Sequence, residues 1–122
     1  MLPVTALTKE QAEQCPVRQV LSKVTGKWQL LLLFALEDGS LRFGALKRTI
    51  GDITQRVLTE NLRSLERDGY LTRTVDPGPP VAVHYELTDM GQELTALMKP
   101  LAAWAMQNHD AVQQSRKIHD AA

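Results

Sequence analysis

"ITQRVLTENLRSLERDGYL", residues 53–71, decides how the rest of the chain is read. Leu58, Leu62 and Leu65 recur at helical spacing and share one face. Arg56, Glu60, Arg63 and Arg67 fall opposite, with Gln55 and Thr59 beside them. A solvated face and a face that reads a partner look alike at this level. What flanks the helix separates them.

Asp52 and Thr54 precede the helix, and either side chain can accept from its first unpaired amides. Gly69 supplies its C-terminal stop. Upstream, "LRFGALKRTIG" gives a short extended piece at Ser40 to Arg42 and a brief helix ending near Gly51. Two short helices joined by a glycine-containing turn are a helix-turn-helix. Downstream, "YLTRTV" alternates like a strand, "DPGPPVA" is a loop, and "VHYELT" is a returning strand. A helix-turn-helix followed at once by a β-hairpin is a winged helix. The expected class is mostly α with a small β-hairpin (α+β).

Further out, Pro16 opens a helix carrying Val17, Val20, Leu21 and Val24. Lys27 to Asp38 forms a central helix, apolar nearly all round, ended by Gly39. Residues 1–14 are polar and rich in small residues, with a short helix as one reading. After the hairpin, Met90, Leu94, Leu97, Leu101 and Trp104 are spaced four, three, four, three. That seam is of coiled-coil type and predicts a dimerisation helix over 89–108, with a kink or local break near Ala96 caused by Pro100. Residues 109–122 read as a polar, fraying tail. The domain plan is one winged helix-turn-helix domain over 1–122, its core at about 15–88.

The bulk numbers bound the function. With 122 residues and 43% hydrophobic content, one modest core is expected. Formal net charge is zero, which is not the usual footprint of a nucleic-acid binder. The charge is partly segregated, however. Between Leu41 and Val75, Arg42, Lys47, Arg48, Arg56, Arg63, Arg67 and Arg73 outnumber Asp52, Glu60, Glu66 and Asp68. A single cysteine excludes an intrachain disulfide and suits a reducing compartment. No apolar run is long enough to span a bilayer, so a cytoplasmic protein is expected.

"CPV" before the first helix, "GKW" opening the second, "LRFGALKR", "ITQRVLTENLRSLERDGYL", "PP" in the wing and "YELTDMGQEL" together resemble the HxlR family of winged helix-turn-helix transcriptional regulators. The resemblance runs from about Cys15 to Trp104. It implies a homodimer with a MarR-like fold that binds double-stranded operator DNA, joined through N- and C-terminal helices. Where family members commonly carry a basic residue after the wing prolines, this chain has Val81 and Ala82.

The candidate residues follow. Thr54, Gln55, Arg56 and Thr59 occupy the N-terminal turns of the quoted helix, where a recognition helix reads base edges, and Arg63 continues that face. Glu60 would repel phosphate there, so it meets a cytosine amino group or lies beyond the groove. Arg42 is expected to touch phosphate; Arg73 and His84 on the wing strands reach phosphate or the minor groove. Met90, Leu94, Leu97, Leu101 and Trp104 are the expected dimer contacts.

Cys15 lies just before a helix start, with Arg18 one turn on, and both would favour a thiolate. The family resemblance adds that this cysteine senses oxidants or electrophiles in some members and is structural in others. His109-Asp110 and His119-Asp120 lack spacings that hold a metal on a helix, and no constellation looks catalytic. No cofactor, metal or membrane partner is expected, and the identity of any effector is open. The rival reading is a winged-helix protein-interaction module without sequence-specific DNA binding.

Overall fold

The computed structural model describes residues 4–122. A short helix α1 (Lys9–Glu13), capped by the Thr8 hydroxyl, comes first. The second helical segment, α2 (17–24), is irregular: a π-helical turn (Val17–Leu21) runs into one α-helical turn (Ser22–Val24). Ser22 and Thr25 return their hydroxyl groups to the Arg18 and Leu21 carbonyls, the kind of back-bonding that competes with a regular ladder. Then come α3 (Lys27–Ala35), β1 (Leu41–Arg42), α4 (Phe43–Ile50), α5 (Gln55–Arg67), β2 (Leu71–Asp76), β3 (Ala82–Leu87) and α6 (Asp89–Ala121). The three strands form one antiparallel sheet in the order β1-β3-β2, which is a winged helix.

The core lies where α3, α4 and α5 meet the sheet. Leu32, Leu33 and Leu36 of α3, Leu46 of α4 and Leu58, Leu62 and Leu65 of α5 are buried together. The predicted leucine stripe of α5 therefore faces the core. Across the same contact the Gln29 side-chain amide of α3 donates to Ser64 Oγ of α5 at 3.2 Å.

Gly69 ends α5 at φ +84°, a conformation that L side chains rarely adopt. Its N–H donates to the Glu66 carbonyl at 3.0 Å, and Tyr70 N–H to Leu65 at 2.9 Å. Those two bonds form a Schellman cap, and the accompanying apolar pair, Tyr70 and Leu65, is buried.

Three helical segments take a more definite form than their sequence implies. In the helix after Pro16, Val24 is buried, while Val20 and Leu21 are each 43% exposed. The π turn shifts the helical phase between them. Second, of the kink or local break expected near Ala96, the break does not form: α6 runs as one helix through Pro100. Pro100 and Ala96 are both exposed, so water can solvate the carbonyl left without its donor. Third, residues 109–122 are not a frayed tail, since α6 continues to Ala121. At 1.5 Å per residue this helix is about 50 Å long.

The inward side of α6 is distinct from the seam expected to make the dimer. Gly91, Thr95 and Met98 face the core, and Leu94 is half-buried against it. Leu97, Leu101 and Trp104 stay exposed at 71%, 56% and 57%, and Met90 is exposed as well. Val20 of α2 joins this surface, lining a shallow groove with Tyr70, Met90, Leu94 and Leu97.

Candidate nucleic-acid interface

The start of α5 is built by its own sequence. Thr54 holds extended dihedrals (φ −76°, ψ 156°), and its Oγ1 accepts from the Val57 N–H at 3.2 Å. Thr54, not Asp52, is thus the N-cap, and Asp52 pairs with Lys27 at 3.8 Å. Ile53 before the cap and Leu58 after the first turn both enter the core, the positions of a hydrophobic staple. The first turn is therefore fixed from inside while its outer side chains stay in water.

On that outer side Gln55, Arg56, Glu60, Arg63 and Arg67 are exposed and Thr59 is half-buried. Thr59 Oγ1 donates to the Gln55 carbonyl at 2.9 Å. Arg56 Nε donates to Glu60 Oε1 at 3.0 Å, one helical turn apart. Glu60 is therefore joined to the basic stripe and does not oppose it as a bare charge.

Strand pleat sorts the remaining candidates. Cross-strand partners point to the same face of a sheet. Arg73 lies opposite Tyr85 and Leu41 opposite Tyr85, while Thr74 and Arg42 both lie opposite His84. Tyr85 is buried toward the core, so Arg73 is on the side of α5. There Thr59, Arg63, Glu66, Arg73 and Tyr85 line a cleft of about 400 Å³ between α5 and the wing. Arg42 and His84 share the other face of the sheet. The structure thus gathers Arg63, Arg73 and Thr59 and separates them from Arg42 and His84, which the sequence had not divided.

Tyr85 and Glu66 of this cleft were not among the predicted residues. Alternation in "VHYELT" carries a signal for Tyr85, since it shares the phase of core residue Leu87. The Arg56–Glu60 bond was legible too, as an opposite-charge pair at i,i+4.

Cys15 is half-buried at the junction of α1 and α2. Its N–H donates to Ala12 at 3.3 Å, and its carbonyl accepts from Gln19 N–H at 2.9 Å. Arg18, one turn on from Cys15, donates through Nη2 to the Val4 carbonyl at 2.8 Å. His109 Nδ1 sits 3.5 Å from Asp110 Oδ1 on the exposed part of α6. Among the described residues no three His, Cys, Asp or Glu side chains converge on a metal position. Nor is any described helix long and apolar enough to cross a membrane.

A helix-turn-helix with a wing and a solvent-facing, capped second helix defines a winged-helix regulator. Comparison with known proteins identifies which kind. The family model described as HxlR-like helix-turn-helix matches residues 23–113, and the chain belongs to that family. It is 43% identical over 93 residues to the HTH-type transcriptional regulator YtfH of Escherichia coli, covering 76% of this chain and 74% of the relative. Among solved structures it is similar to the transcriptional regulator YtfH from Salmonella typhimurium. There the TM-score is 0.78 at 40% identity, over 86% of this chain and 94% of the other. It is also similar to the redox regulator HypR in its oxidised form, with TM-score 0.72 and 38% identity over 77% and 97% of the two chains. HypR is solved in a reduced form as well. The chain is accordingly a helix-turn-helix transcriptional regulator and not an enzyme.

Proposed function

We propose that this regulator works in the cytoplasm as a homodimer that reads a two-fold symmetric operator in double-stranded DNA, and that Cys15 makes the binding responsive to oxidants or electrophiles. The observation that carries the DNA reading is the outer face of α5. Its N-terminal turn is capped, yet Gln55, Arg56 and Arg63 stand in solvent, and Arg63 shares a cleft with the wing. These side chains have the donors and acceptors that base edges and phosphates require. Gln55, Arg56 and Thr59 would face bases; Thr54 contributes through the cap and its backbone; Arg63 and Arg73 would share the phosphates over the cleft. Arg42 and His84 form a separate patch suited to phosphate farther along the duplex.

The apolar strip over Met90, Leu94, Leu97, Leu101 and Trp104, extended by Val20, supports the dimer. Likeness to a redox regulator supports a role for the thiol.

The competing reading, a protein-interaction module, has one observation in its favour. The wing bears exposed Val75 and Val81 where cations would help on DNA. Selection of genomic fragments by the purified protein, followed by affinity at several salt concentrations, decides between them. A recurrent palindromic site with salt-dependent affinity supports regulation through DNA. Enrichment of no sequence would leave the interaction module standing.

A further inference from the structure

We infer that Glu60 is a positioning residue for base recognition: by taking the Nε–H of Arg56 it aims that guanidinium end-on at a guanine and makes it a poor phosphate ligand. This rests on the proposal that α5 is the DNA-contacting helix. The bond is 3.0 Å long, and its partners are 88% and 58% exposed. An exposed pair of this kind adds little to stability, so its value must be sought elsewhere. What it changes is the direction and the net charge of the arginine.

A guanidinium offers five N–H donors in a fixed plane. With Nε–H held by Glu60 Oε1, the side-on mode that would use Nε and one Nη is occupied. The end-on pair, one N–H from each Nη, remains and matches O6 and N7 of guanine. Arg56 is the second residue of α5, in the turn that a recognition helix presents to bases. Thr54 caps that turn, so the guanidinium is steered from a fixed backbone. The carboxylate also offsets the arginine's charge, which weakens indiscriminate attraction to phosphate but spares hydrogen bonding to a base edge. Arg63, two turns beyond Arg56 along the same stripe, keeps its charge for phosphate.

The test uses the full-length protein and the operator obtained by genomic selection, with each base pair replaced in turn. Arg56→Ala first locates the position whose preference depends on Arg56, expected to be a G·C pair in each half-site. At that position Glu60→Ala should lose at least about fivefold of discrimination, the lower end for one bidentate contact. It should also bind non-operator DNA more tightly, with a salt slope steeper by about one. Glu60→Gln keeps an oxygen that can accept from Nε and should restore most of the discrimination. Unchanged discrimination in Glu60→Ala overturns the inference, as does a loss spread evenly over every position. If Arg56→Ala alters no position while Gln55→Ala or Arg63→Ala does, the inference fails and the DNA reading survives. If wild type selects no operator at all, both fall.

Discussion

A Cβ built on Gly91 would come within 2.0 Å of the Tyr70 carbonyl oxygen, and within 3.0 Å of its carbonyl carbon. This contact is the joint between the winged-helix body and the long helix α6. The same carbonyl accepts from the Thr88 N–H at 3.0 Å. Thr88 Oγ1 donates to the Gly69 carbonyl at 2.6 Å and accepts from Gly91 N–H at 3.1 Å. One threonine thus caps α6 and ties it to the end of α5.

Gly91→Ala is expected to destabilise the protein. Alanine favours a helix over glycine by about 1 kcal/mol, which acts in the opposite direction. The clash is with backbone, which cannot rotate away as a side chain would, and overpacking costs about 1–3 kcal/mol or more. A lower urea midpoint with unchanged slope is the predicted result. An unchanged or raised midpoint would show that this joint is loose.

Alkaline pH should loosen the same region. Burial, and secondarily the Asp68 carboxylate, raise the Tyr70 phenol above its ordinary 10.0. The Glu37 hydrogen bond, then its charge, raise Lys99 above 10.5. In both cases the folded state holds its proton longer than the unfolded chain. Their contribution is complete below the unfolded value, near pH 10 for the phenol, and is lost as pH rises through the folded value. Urea unfolding at pH 8 and near pH 11 should show that fall, and Tyr70→Phe should flatten it. A phenylalanine variant with the full alkaline slope would count against Tyr70 as a source.

How far the sequence alone reaches is visible in α5 and its neighbours. Leu58, Leu62 and Leu65 at helical spacing, and Gly69 after the last turn, were enough to place that helix and its buried face. Whether Asp52 or Thr54 caps it depends on chain path, which spacing does not encode. The wing strands were legible by alternation, but the side Arg73 takes depends on register with Tyr85. A one-residue shift would reverse it. The π turn in α2 and the Arg18 contact with Val4 arise from long-range and back-bonding interactions that leave no periodic trace. The final turns of α6 looked like a tail because their composition is polar, yet polar residues with good helix propensity can continue a helix already nucleated.

Division of the arginines by the sheet gives a binding prediction. Arg63 and Arg73 line one cleft, so losing both should cost less than the sum of the single losses if they meet the same phosphate. Arg42 lies on the other face of the sheet and should add independently to either. Arg73→Ala is expected to weaken operator and non-operator DNA alike and to reduce the salt slope by about one. A double-mutant cycle by fluorescence anisotropy measures this. Full additivity of Arg63→Ala with Arg73→Ala would refute the shared-phosphate geometry.

Assembly is tested most directly at Leu97, whose side chain is 71% exposed within the apolar strip of α6. Burying such a leucine is worth about 1.5–3 kcal/mol per copy, and a charge at that place reverses the gain. Leu97→Glu should sediment as a monomer at concentrations where wild type is a dimer. Operator affinity should fall in parallel, because two half-sites need two linked α5 helices. Wild type remaining monomeric at micromolar concentration would dispose of the dimer.

Cys15 supplies the last prediction. With one cysteine per chain, oxidation cannot close an intrachain bridge. A bridge between subunits needs Cα atoms within about 7 Å, which only a position beside the dimer axis allows. A mixed disulfide is less demanding: Cys15 and a small thiol each give up one hydrogen to diamide, which is reduced as the S–S bond forms. Cys15 is already half-buried between α1 and α2, so an added thiol has to displace neighbouring chain. Since α2 also carries Val20 of the exposed apolar strip, that displacement would disturb the surface on which a second copy is expected to sit. Operator binding should therefore weaken in wild type treated with diamide and a small thiol, and recover on reduction, while Cys15→Ser stays constant. Mass spectrometry gives the adduct independently. An adduct that forms without altering affinity would make Cys15 a structural residue, and so would an equal response in the serine variant.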